Sequence, residues 1–151
     1  TAREQVARLA PSVLGGLAFA GANLPPDKVD AILTAEELMH MDLTGCQLAV
    51  LSACDTNVGI ERGGLVLGTL RGALHAAGVR RAITSLWRVD DAAARDLMTR
   101  FYKRLWRDGA DVSAALHDAK ESMRTKVDGV GRPRFGVREW AAFVSSGVAV
   151  E

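Results

Sequence analysis

The chain has 151 residues, 48% of them hydrophobic and 25% charged, which describes one globular domain with an ordinary core. Its 19 basic residues nearly balance 18 acidic ones, leaving a net charge of +1 and no electrostatic footprint for nucleic acid or an acidic membrane. There is no signal-peptide pattern and no run of 18 apolar residues, so neither export by that route nor a membrane span is expected.

In chain order, residues 2–10 are weakly helical and stop before Pro11. Leu17-Ala18-Phe19-Ala20 reads as a short strand, and residues 21–30 carry turn chemistry in Asn23, Pro25, Pro26 and Asp27. Ala31-Ile32-Leu33 is placed to pair back on that strand as a hairpin. Thr34 and Glu37 then have the spacing of a capping box, predicting a short helix that fades by Asp42. Residues 47–53 lack polar alternation, as expected for a strand covered on both faces of a parallel sheet. A glycine-rich loop over 55–64 follows, and Leu67, Leu70, Leu74 and Ala77 share one helical face that Gly78 ends.

Residues 81–86 read as a second central strand. Asp90 or Asp91 caps the next helix, whose apolar stripe is Ala94, Leu97, Met98, Phe101 and Leu105, with Gly109 at its end. Asp111 starts another helix with Val112, Ala115, Leu116, Ala119 and Met123 inward. A loop covers 129–136, and Trp140-Ala141-Ala142-Phe143-Val144 closes the chain as a last strand or packed segment. Strand, helix, strand between 47 and 86 is a βαβ unit with a right-handed crossover, so the fold class is α/β with an at least partly parallel sheet. Arg80-Arg81 and the arginines between 132 and 138 read as solvated surface.

Ligands of open α/β sheets bind beyond the carboxyl ends of the strands. Two such ends are polar or unusual here, Ser52-Ala53-Cys54-Asp55 and Ser85-Leu86-Trp87-Arg88, and parallel neighbours would bring them to one edge. A thiol at a strand exit is placed to act as a nucleophile, whereas a thiol buried within an element is inert packing. By position alone Cys54 is balanced between these two roles. Asp55 caps its own loop or helps select substrate, Trp87 is a core aromatic or a groove wall, and Arg88 is a surface charge or a substrate contact.

A cysteine nucleophile needs a base, usually histidine. His40 lies late in a short helix, and His75 and His117 lie within helices, so none stands at a strand end. No Cys/His pair has metal-ligand spacing, and the 59–64 loop lacks a P-loop lysine, so neither a metal nor a nucleotide cofactor is expected. Cys46 and Cys54, separated by a strand rising ~3.3 Å per residue, lie too far apart to form a disulfide, and free thiols fit a reducing cytoplasm.

The chain resembles the CHAT-domain family, caspase-like cysteine peptidases usually fused to tetratricopeptide repeats. The resemblance rests on residues 17–23, 32–37 and Leu51-Ser52-Ala53-Cys54-Asp55-Thr56, then on 76–79 and Ser85-Leu86-Trp87-Arg88-Val89-Asp90-Asp91. It continues through Leu97-Met98, Phe101-Tyr102 and residues 140–144 before Gly147. It implies a caspase-like three-layer sandwich, a mostly parallel sheet with helices on both faces, and Cys54 as the nucleophile. Asp55, Ser85, Trp87 and Arg88 would then contact a peptide or protein substrate held by strand addition.

Two departures stand out. The family's base is a histidine in a His-Gly pair upstream of the Leu17 match, and residues 1–16 hold no histidine. The glycine whose amide helps form the oxyanion hole is missing with it. Asn57 also stands where the family has glycine, and Gly63-Gly64 replaces a glycine-glutamate pair. The expectation is the carboxy-terminal portion of a single bacterial, cytoplasmic CHAT domain, truncated on its N-terminal side and inactive alone. A repeat domain or a second chain would complete it, and an exposed sheet edge would allow homo-oligomers. The alternative is a non-catalytic interaction module on the same fold.

Overall fold

The computed structural model describes residues 16–24, 31–52 and 70–148. The helix read over 2–10, the loop over 55–64, Cys54 and Asp55 lie outside the described residues. The described elements are mixed helix and strand, consistent with an α/β chain. They fall into two compact units, with 1–49, 57–82 and 147–151 in the first and 50–56 and 83–146 in the second.

In the first unit, β1 (Gly16–Ala18) pairs antiparallel with β2 (Ile32–Thr34), with Leu17 opposite Leu33, as the hairpin reading expects. The Phe19 amide donates to the Ala31 carbonyl at 2.8 Å and extends the pairing toward the turn. The capping box then starts α1 (Ala35–Met39): Thr34 Oγ1 accepts from the Glu37 amide at 3.1 Å, and the Glu37 carboxylate accepts from the Thr34 amide at 2.8 Å. That helix buries Ala35 and Leu38 and packs on α2 (Leu70–Ala76), which buries Leu70, Ala73 and Leu74. Gly78 ends the turn after α2 with φ +101°, close against Thr44.

The main sheet has the order β3 (Leu48–Leu51), β4 (Arg81–Ser85), β5 (Phe143–Gly147). At the start of the first pair the Arg80 amide donates to the Cys46 carbonyl, and at the far end Ser52 and Ser85 line one cleft, so β3 and β4 run parallel. The Leu86 amide donates to Ala142 and the Val148 amide to Arg80, so β5 runs antiparallel to β4. The sheet is therefore mixed. All five residues of β4 are buried, which fits a central strand, whereas β3 is half-buried along its length, short of the cover on both faces that its apolar sequence predicts.

Arg81 departs from the surface reading of the Arg80-Arg81 pair. It is only 4% exposed, because it opens the central strand, and its Nε–H donates to the Val148 carbonyl at 3.0 Å. A main-chain acceptor offsets the cost of burying that charged group. Arg80 remains exposed, as do Arg132, Arg134 and Arg138.

In the second unit, α3 (Asp91–Tyr102) buries Ala93, Leu97, Met98 and Phe101. Ala93 takes the inner place expected of Ala94, which is half-buried. A π-helical turn over Lys103–Arg107 follows directly, widening the backbone spiral and leaving Leu105 half-buried at the end of the predicted stripe. The helix α4 (Val112–Arg124) is capped by Asp111, packs on α3, and buries Ala115, Leu116, Ala119 and Met123 as the periodicity predicts. Val112, read as inward, is half-buried.

The loop after α4 is ordered by a bridge between Val127 and Pro133 and by Asp128, whose carboxylate accepts from the amides of Val130 and Arg132. The closing segment begins as a helical turn, α5 (Val137–Trp140), because the Glu139 carboxylate accepts from the Gly136 amide and nucleates the turn. The strand starts only at Phe143. Among the described residues no helix is long and apolar enough to cross a membrane.

Candidate functional site

Within the second unit, a shallow cleft open to solvent is lined, among the described residues, by Ser52, Ser85, Trp87, Val89, Asp91, Ala94 and Phe143. Each of its walls follows from local chemistry. Ser52 is the first residue past β3, and Ser85 ends β4, so the two strand exits meet here. Beyond Ser85, the Leu86 amide is held by the Ala142 carbonyl at 2.8 Å, which carries the extended backbone past the end of the strand.

Trp87 is half-buried, and its indole N–H donates to the Arg138 carbonyl at 2.7 Å. One edge of the ring is thus fixed to α5 while the ring contributes to the cleft. Asp90 begins α3 by accepting from the amides of Ala92 and Ala93 at 3.0 and 3.1 Å, which sets Asp91 on the first turn facing the cleft and Ala94 behind it. Phe143, 1% exposed at the start of β5, closes the floor.

Of the site residues read from the sequence, Ser85 and Trp87 come together in this cleft. Arg88 is exposed and is not one of its lining residues. Cys54 and Asp55 lie outside the described residues, two and three positions beyond Ser52. Val89, Asp91, Ala94 and Phe143 were not expected there. One signal for Asp91 was available: two successive aspartates stand where the helix begins and a single cap needs only one.

None of the three histidines is a lining residue of the cleft. His40 Nδ1–H donates to the Glu36 carbonyl at 2.8 Å at the end of α1, and His75 Nδ1–H donates to the Val79 carbonyl at 3.0 Å. Both belong to the first unit, and His117 is exposed on α4. Among the described residues no group of three His, Cys, Asp or Glu side chains is arranged to hold a metal ion. Cys46 is half-buried, with its thiol 3.5 Å from the Leu48 carbonyl oxygen.

Among the described residues, none of the charged groups with displaced titration is a lining residue of the cleft. Burial raises the Asp96 carboxyl more than any other single influence, but Arg100 and then Lys126 together hold it below its ordinary value. Desolvation lowers the Lys120 ammonium.

The model of one protein family, the CHAT domain, matches this chain over residues 6–148. No curated protein matches it.

Proposed function

The chain belongs to the CHAT domain family, and on that premise we propose that it is a caspase-like cysteine endopeptidase domain with Cys54 as its nucleophile. The observation that carries this reading is the meeting of the β3 and β4 exits, Ser52 and Ser85, in one cleft walled by Trp87. In the proposed reaction the Cys54 thiolate attacks the carbonyl carbon of a peptide bond. The carbon–nitrogen bond breaks, the amine leaves with a proton, and water then hydrolyses the thioester and frees the thiol. Substrate backbone would lie extended along residues 85–88, with Asp55, Ser85, Trp87 and Arg88 contacting it. The three-layer caspase-like sandwich, a cytoplasmic setting in a bacterium, a partnering repeat domain or chain, and self-association through a sheet edge belong to the same proposal.

A second reading is favoured by the histidines. His40 and His75 each donate Nδ1–H to a nearby carbonyl, and His117 stands exposed on α4, so no histidine lines the cleft. A non-catalytic module that binds peptide or protein on the same edge is consistent with that arrangement. Peptide turnover by this chain alone is accordingly expected to be slight or nil.

Thiol alkylation separates the two. A nucleophile in a site built to favour thiolate reacts faster than an ordinary thiol near neutral pH. Iodoacetamide labelling followed residue by residue should modify Cys54 well ahead of Cys46, with a lower apparent pKa for Cys54. Slow labelling of both at one rate would refute the nucleophile and leave the binding module.

A further inference from the structure

The reaction proposed above assigns nothing to Asp91, and the helix it opens does not need it as a cap. Asp90 alone accepts the first amides of α3. Asp91 is exposed to the cleft and forms no ion pair or side-chain hydrogen bond among the described residues. A carboxylate in a first helical turn gains a little from the helix dipole wherever it points. This one, however, stands in a cleft whose other walls, among the described residues, are Trp87, Val89, Ala94 and Phe143 together with Ser52 and Ser85 at the strand exits.

The cleft encloses only about 20 Å³, far short of the ~300–1,000 Å³ of pockets that enclose small molecules, so it is a shallow groove along whose walls one protruding side chain would lie. The walls define that side chain. Its stem must be apolar, to lie on Val89, Ala94 and Phe143, and its tip must be a cation. Asp91 offers that tip a negative charge that no described side chain pairs, and the aromatic side chain of Trp87 lies on the same cleft. Arginine and lysine have this form. A glutamate tip would meet like charge, and a purely aliphatic chain would leave the carboxylate without a partner.

We propose that Asp91 makes this cleft a subsite for a cationic side chain of a bound peptide, an inference that rests on the peptide-binding function proposed above. Because Asp91 is exposed, the attraction is screened, and the preference amounts to about three- to tenfold in affinity.

The test uses the full chain and short blocked peptides, fluorescently labelled, that differ at one position: arginine, lysine, norleucine or glutamate. Fluorescence anisotropy should show the arginine and lysine peptides binding about three- to tenfold more tightly than norleucine, with glutamate weakest. Added salt should narrow the gap. Asp91→Asn should erase the preference and Asp91→Glu should keep it, both with an unchanged melting curve since Asp90 still caps the helix.

Equal binding of all four peptides, no binding of the arginine peptide at millimolar concentration, or a preference that survives Asp91→Asn would overturn the subsite. The nucleophile fails separately. Slow labelling of Cys54 alongside an intact arginine preference sinks the enzyme reading alone, and rapid labelling without the preference sinks the subsite alone.

Discussion

Trp87 and Arg138, 51 positions apart, are joined by a hydrogen bond of 2.7 Å from the indole N–H to the main-chain carbonyl. The bond ties the exit of the central strand to the short helix that precedes β5, and it holds the aromatic wall of the cleft in one orientation. Trp87→Phe keeps a ring but removes the donor. The Arg138 carbonyl can turn to water, so the loss should be small, about 0.5–1 kcal/mol in urea unfolding. A wild-type midpoint in Trp87→Phe would mean that this bond contributes nothing to the unit.

Asp90 and Asp91 are chemically identical neighbours with different work. Asp90→Ala leaves the amides of Ala92 and Ala93 without their acceptor and should cost about 1 kcal/mol of stability. Asp91→Ala removes no hydrogen bond and should stay within about 0.5 kcal/mol. Parallel denaturation curves of the two variants check the assignment, which a reversed order would contradict.

Gly78 holds φ +101°, where a side chain is strained, and a β-carbon there would come within 2.9 Å of the Thr44 backbone. The Leu43 amide, which donates to Ala77 at 2.7 Å, keeps that backbone close. Gly78→Ala should therefore destabilise the first unit by about 2 kcal/mol or more, through backbone strain and displacement of the Thr44 segment. Thermal melting measures it, and a variant as stable as the parent would show that the approach can relax freely.

Asp96 bonds Arg100 at 3.0 Å and lies 3.6 Å from Lys126, linking α3 to the end of α4. Its carboxyl is held below the ordinary 3.8, so the fold favours the charged form. That stabilisation is complete above the unfolded value and disappears as pH falls through the depressed folded one. Asp96→Asn should be less stable than the parent by about 0.5–1 kcal/mol at pH 7, with the gap closing below pH 3.8. A gap that persists at pH 2 would assign it to shape or packing, not charge.

Much of the local structure was legible in the residues. The Thr34–Glu37 box, the Asp111 cap, the turn at Gly78 and the inward face of α4 are relations between residues at most a few positions apart. Propensity and hydrogen-bond chemistry decide such relations before any partner arrives. The pairing of β1 with β2 was legible for a similar reason, since two neighbouring strands leave few alternatives. The residues of β4, Arg81-Ala82-Ile83-Thr84-Ser85, are not an apolar run, and their complete burial follows from the strand's central place in the sheet.

By itself the sequence determined the class of the chain, its family and the two strand exits where a site should form. It could not decide that Arg81 is buried, because its acceptor is the carbonyl of Val148, 67 residues away. Nor could it tell which aspartate caps α3 and which one faces a cleft, since that cleft exists only once β3, β4, α3 and β5 are assembled around it. The physical reason is the range of the forces. Caps and turns are settled within a helical turn, whereas burial and the company of a charge depend on segments brought together only by the folded chain.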